Sequence, residues 1–150
     1  MTADPVQSAW QAALAAEQQA VFGYGLLGVR LAGAQRVLAA SCERAHARLR
    51  DATALAMAAA GVEPVAPRAD YPALYPVPDA AAARRLALRL EDECAVAWRV
   101  LYLRAASATE SAARGLRAPA QQSLTASAVR ATRWRVIESP SRATDPFPGI

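Results

Sequence analysis

Five prolines, Pro64, Pro67, Pro72, Pro76 and Pro78, fall between Val62 and Pro78, and they divide the chain in two. Proline has no N–H and its ring clashes with the preceding helical turn, so this stretch must be an extended connection. On both sides of it the sequence favours helix: alanine supplies about 40 of the 150 residues, and no run of Val, Ile and Thr of the kind a strand needs appears. The expected class is all-α, in one domain spanning 1–150.

Local signals then set the helix ends. Asp4-Pro5 predicts the start of helix one, since Asp is a good N-cap and Pro is welcome at the first helical position. That helix is expected over about 5–32, with Gly33 permitting a tight turn, and helix two over 34–60, closed by Gly61. The crossover occupies 62–78. Asp79 caps helix three, expected over 79–106. Ser107-Ala108-Thr109-Glu110 has the form of a capping box, which predicts helix four over 108–138, with Pro119 kinking or splitting it. The tail, 139–150, reads as irregular, with Phe147 packing back. Four helices of similar length, joined by a tight turn, a long crossover and a second tight turn, predict an antiparallel four-helix bundle with ferritin-like connectivity.

Charge excludes rather than assigns. All 17 basic residues are Arg, and the net charge is +4, but the arginines are spread over every helix and alternate with acids. Nucleic acid is therefore an unlikely partner, although Arg84, Arg85, Arg89 and Arg99 on helix three leave an anionic partner as one hypothesis, testable by a steep salt dependence. No stretch has the uninterrupted apolar length of a membrane span, and Met1 to Ser8 lacks the basic-then-apolar form of a signal peptide. Cys42 and Cys94 sit in apolar helical patterns and read as buried free thiols rather than a redox pair, consistent with a cytoplasmic protein. Tyr71 and Tyr75 are expected to pin the crossover, and Trp10, Trp98 and Trp134 to serve packing.

Polar residues interrupt the inward seams. On helix one the alternating spacing runs Trp10, Leu14, Glu17, Val21, Tyr24, Gly28, Leu31, with Glu17 at its centre. Helix two gives Cys42, His46, Leu49, Thr53, Ala56, Ala60, placing the single histidine inward with Glu43 three residues before it. Helix three gives Leu86, Leu90, Glu93, Ala97, Val100, Arg104, with Glu93 inward and Glu91 at the edge near Trp98. Glu17, His46 and Glu93 are thus expected to converge. A carboxylate within an apolar stripe requires a cation, a metal or hydrogen bonds.

Glu17, Glu43-x-x-His46 and an acid on helix three resemble the first three parts of the ferritin-like di-iron pattern, in which helix four supplies a second Glu-x-x-His. Helix four departs from it, offering Gln122-Ser123-Leu124-Thr125 and Ser127 at that depth. The wider sequence is similar to an actinobacterial ferritin-like family of unknown function, through Ala16-Glu17, Phe22-Gly23-Tyr24-Gly25, Ala45-His46, Arg89-Leu90-Glu91-Asp92-Glu93-Cys94, Ala97-Trp98-Arg99, Ala131-Thr132-Arg133-Trp134-Arg135 and Phe147-Pro148-Gly149. This similarity implies the fold and brings no activity with it.

Two readings of the polar residues follow. In the first, a protonated imidazole balances the carboxylates in a hydrogen-bonded network completed by Tyr24 or Ser127, in a non-enzymatic bundle without a cofactor that serves as a binding or structural protein and forms a homodimer. In the second, Glu17, Glu43, His46 and Glu93 or Glu91 hold one iron, manganese or zinc ion, or an incomplete di-iron centre with oxidoreductase chemistry.

Overall fold

The computed structural model describes residues 4–144 and 146–150. Met1 to Ala3, part of the stretch read above for a signal peptide, and Asp145 of the tail lie outside the described residues. The described residues form four long α-helices and a single-turn one, α1 Pro5–Gly28, α2 Gly33–Ala59, α3 Ala80–Ser107, α4 Ser111–Arg114 and α5 Arg117–Glu138, with short 3-10 turns at Pro72–Leu74 and Pro140–Arg142. Among the described residues there is no strand. Among the described residues no helix is long and apolar enough to cross a membrane.

The capping chemistry explains the starts. The Asp4 side chain accepts from the Val6 N–H at 2.9 Å, and that of Asp79 from the Ala82 N–H at 2.7 Å. Gly33 opens α2 and Gly61 follows it, at φ +53° and +73°, the left-handed region that glycine enters without a Cβ clash. α1 ends at Gly28, short of Ala32, because the chain already turns through Val29 to Ala32.

The expected fourth helix is broken. Ser107 caps nothing; it is the last residue of α3, and its hydroxyl donates to the carbonyls of Leu103 and Arg104. Ala108 is extended, Ser111–Arg114 forms one turn, and α5 begins at Arg117. Pro119 therefore lies in the first turn of α5, where an N–H has no intrahelical acceptor, and the helix is split ahead of the proline instead of kinked at it.

α1 packs on α2 and α3, and α3 on α5. The crossover is anchored by buried Tyr71, Leu74 and Val77, with Phe22 of α1 against the rings of Tyr71 and Tyr75 at centroid distances of 5.1 and 6.4 Å. The side chains of Gln11 and Gln18 donate to the carbonyls of Glu63 and Val65. Gly23 admits the close approach of α3: a Cβ there would meet Leu90 Cδ1 at 2.5 Å. In the tail, Gly149 lies on α3, where a Cβ would be 2.8 Å from the Ala95 carbonyl, while Phe147 is 66% exposed.

The apolar interior falls into two clusters. One gathers Leu27, Leu31, Leu86, Leu90 and Trp134; the other gathers Trp10, Leu14, Met57, Trp98 and Leu101. Polar residues lie between them.

Candidate functional site

Glu17, His46 and Glu91 have no exposed surface. Each stands on a different helix. His46 Nδ1 is 2.6 Å from Glu17 Oε2, and its Nε2 is 3.1 Å from Glu91 Oε1. An imidazole facing a carboxylate oxygen at both nitrogens must donate from both, which only the imidazolium does. Burial alone would lower the His46 pKa, but the hydrogen bonds and charges of Glu17 and Glu91 outweigh it and raise the value to about 9.

The remaining lone pairs are met by donors from every side. Trp98 Nε1–H donates to Glu17 Oε1 at 2.7 Å. Tyr24 O–H donates to Glu91 Oε1 at 2.7 Å and accepts from Trp134 Nε1–H at 2.9 Å. Arg130 of α5 spans both Glu91 oxygens from Nε at 3.0 Å, and its terminal nitrogen donates to the Ser127 hydroxyl at 3.1 Å. The Tyr24 ring stacks beside His46, centroids 5.5 Å apart. Two carboxylates, one imidazolium and one guanidinium sum to zero charge. Among the described residues no buried side-chain nitrogen or oxygen lacks a hydrogen-bond partner.

Glu93 is the clearest correction. Its carboxylate is 44% exposed, pairs with Arg89 and accepts from Gln19; Glu91 takes the inward place. The buried face of α3 runs Ala83, Ala87, Leu90, Glu91, Cys94, Trp98, Leu101, Ala105, one position on from the expected seam, a rotation of about 100° at 3.6 residues per turn. Trp98 decides it, because burying that indole turns the positions four and seven residues earlier, Cys94 and Glu91, inward with it. Glu43 is half-buried and takes no part in the network: its neighbour three positions on, His46, is met by carboxylates from α1 and α3. On α2, Met57 is buried where Ala56 and Ala60 were expected.

Arg130 and Cys94 have no place in the expected site. Arg130 sits at the 3–4 spacing of the α5 seam, between Ser127 and Trp134, and that spacing was its available signal. Cys94 donates to the Ala16 carbonyl at 3.6 Å, and one ligand atom each from Glu17, His46 and Cys94 lie within 4.8 Å of one another. Among the described residues these three are the set whose ligand atoms could converge on a cation. Burial raises the Cys94 pKa well above its ordinary value, reinforced by Glu17 and Glu91, so the thiol stays protonated; burial likewise raises Cys42 and Tyr24. Of the helix-three arginines considered for an anionic partner, Arg84 pairs with Glu138 and Arg89 with Glu93.

A search of curated proteins gives no match. Among solved structures, a conserved hypothetical protein from Mycobacterium tuberculosis, rv2844, is similar to this chain with a TM-score of 0.80 and 31% identity, covering 91% of this chain and 99% of that one. The expected actinobacterial affinity and lack of assigned activity fit that neighbour. The model of a domain of unknown function, DUF4439, matches residues 9–150, and the chain belongs to that family.

Proposed function

We propose that this protein is a ferritin-like antiparallel four-helix bundle of non-enzymatic kind, in which a neutral ion network takes the place of a metal centre. Residue pairs between helices support the topology. Glu17 meets Trp98 and Tyr24 meets Glu91, so α1 and α3 run oppositely; Arg84 meets Glu138 and Glu91 meets Arg130, so α3 and α5 do too. Gln35 meets Arg84 while His46 meets Glu91, the parallel order that a long crossover between α2 and α3 provides.

The observation that carries the functional reading is the set of donors around Glu91. Arg130 occupies both of its oxygens, where a second metal would need an open carboxylate and a second Glu-x-x-His. The donor set does not fit a di-iron centre. Elemental analysis of protein purified without chelator and reloaded with iron, manganese or zinc is expected to give far less than one ion per chain. One or two ions per chain, lost in His46→Ala, would overturn the reading.

One alternative has its own support. Glu17, His46 and Cys94 offer oxygen, nitrogen and sulfur within 4.8 Å, a set suited to a single zinc ion once His46 and Cys94 lose their protons. A cobalt-loaded sample with a thiolate charge-transfer band that Cys94→Ser removes would favour it. The cytoplasmic homodimer rests on two reduced cysteines and on the exposed stripe Val96, Val100 and Leu103 along α3, and sedimentation of a single monomeric species would exclude the dimer.

A further inference from the structure

The backbones of α2 and α5 stand apart from each other, while that of α2 lies close to α1 and that of α5 close to α3. Ala52, Thr53 and Ala56 on one side and Leu116, Pro119 and Ser123 on the other border a slot of 140 Å³ that Trp10 and Trp98 also line. Trp10, Ala56 and Leu116 also line a cavity of 370 Å³ at the end of the bundle near Asp4, so the two spaces adjoin along one path. From Leu49 to Ala60, just past the end of α2, that path spans eleven helical rises, about 16 Å. Ser123 turns its hydroxyl back to the Pro119 carbonyl, which leaves the slot walls almost wholly apolar.

The mouth has the opposite sign to the rest of the molecule. In a chain of net charge +4, the charged residues lining the wider cavity are Asp4 and Glu110; Arg104 borders the same two acids from a neighbouring recess, and the three together leave the rim with a net negative charge. Asp4 spends one oxygen on the α1 cap, and Glu110 makes no ion pair or hydrogen bond through its side chain among the described residues. An apolar slot ending at an acidic rim beside an indole matches an alkyl chain bearing a cationic head: the chain displaces water from Trp10, Ala56 and Leu116, and the head meets Glu110 and the Trp10 ring.

We propose that the α2–α5 slot binds a linear cationic amphiphile, with its chain along Ala52 and Ala56 and its head at Asp4 and Glu110. The site lies beside the buried ion network and does not depend on whether that network holds a metal. Titration calorimetry with dodecyltrimethylammonium below its micellar concentration, backed by Trp fluorescence, tests it. Saturable binding of one molecule per chain is expected, at least tenfold tighter than that of dodecyl sulfate, the reverse of what a net positive protein would do non-specifically. Ala56→Leu and, independently, Ala52→Leu are each expected to weaken binding tenfold or more with the melting temperature unchanged, since both alanines are exposed in the free protein. Glu110→Gln is expected to erase most of the preference for the cation. Absence of saturable binding, equal or tighter binding of dodecyl sulfate, or unaltered affinity in both alanine variants would overturn the proposal.

Discussion

Raising the pH from 6.5 to 8 is expected to destabilise this protein through one group. His46 has a folded pKa of about 9 against an ordinary value of 6.5, so the folded state holds a proton that the unfolded state releases. A raised histidine stabilises the fold fully below the unfolded pKa, and that contribution is lost as pH climbs to the folded one. The full difference of about 2.5 pKa units corresponds to about 3 kcal/mol at 1.36 kcal/mol per unit. The partly protonated unfolded chain at pH 6.5 reduces the loss between pH 6.5 and 8 to about 1.5 kcal/mol, or roughly 3 to 6 °C in melting temperature for a domain of this size. No other side chain has its ordinary pKa in that window, and the unfolded thiols, with an ordinary value of about 8.5, only begin to ionise at its upper end. Urea unfolding at half-unit pH steps reads the slope directly. Because His46 is the single histidine, its ring resonance is unambiguous and is expected to report the imidazolium at pH 7.5. A flat stability profile with a neutral ring at that pH would refute the charge assignment on which the network rests.

Arg130→Met removes the guanidinium from Glu91 and leaves the cluster with one uncompensated buried negative charge, expected to cost about 3 kcal/mol by chemical denaturation; adding Glu91→Gln should recover more than half of it, and a single-variant loss below about 1 kcal/mol would show that Arg130 is dispensable. Gly23→Ala places a methyl 2.5 Å from Leu90 Cδ1 and is expected to destabilise by about 1–3 kcal/mol through overpacking, whereas Gly25→Ala, with nothing within 4 Å, should gain about 0.5–1 kcal/mol from helix propensity, so equal effects at the two positions would contradict the packing described for α1 and α3.

How far the sequence could be read depended on bulky residues. On α1, Trp10, Leu14 and Tyr24 mark the seam unmistakably, and Glu17 follows from them. On α2 the single histidine at the spacing of Cys42 and Thr53 is enough. On α3 alanines and leucines permit two registers one residue apart, and the run Glu91-Asp92-Glu93 puts a carboxylate on either, so only the weight given to Trp98 separates them. On α5 the signal is weakest. Its buried positions are Ala120, Ser123, Ser127, Ala131 and Trp134, while Val129, Val136 and Ile137 are substantially exposed, so hydrophobicity points away from the true inner face and conceals Arg130. The single-turn α4 depends on the extended backbone at Ala108 and on the Gly115–Leu116 break, neither of which has a periodic signature.

An interior rich in alanine brings helices close together but distinguishes poorly between registers, because one small methyl replaces another when a helix slips or rotates. The polar centre supplies the discrimination. Glu91 on α3 accepts from Tyr24 on α1, His46 on α2 and Arg130 on α5, so a single carboxylate samples every other long helix. Slipping any of them by one residue moves its donor by 1.5 Å along the axis and about 100° around it, beyond hydrogen-bonding reach. The misregistered chain would then bury unpaired charge, at a cost of several kcal/mol. Glu17 adds a second check, tying α1 to His46 and to Trp98. Buried ion networks often contribute little net stability over an apolar core, but they penalise the wrong packing heavily. In a chain whose seams carry many alanines, that penalty gives the charged centre a role in conformational specificity.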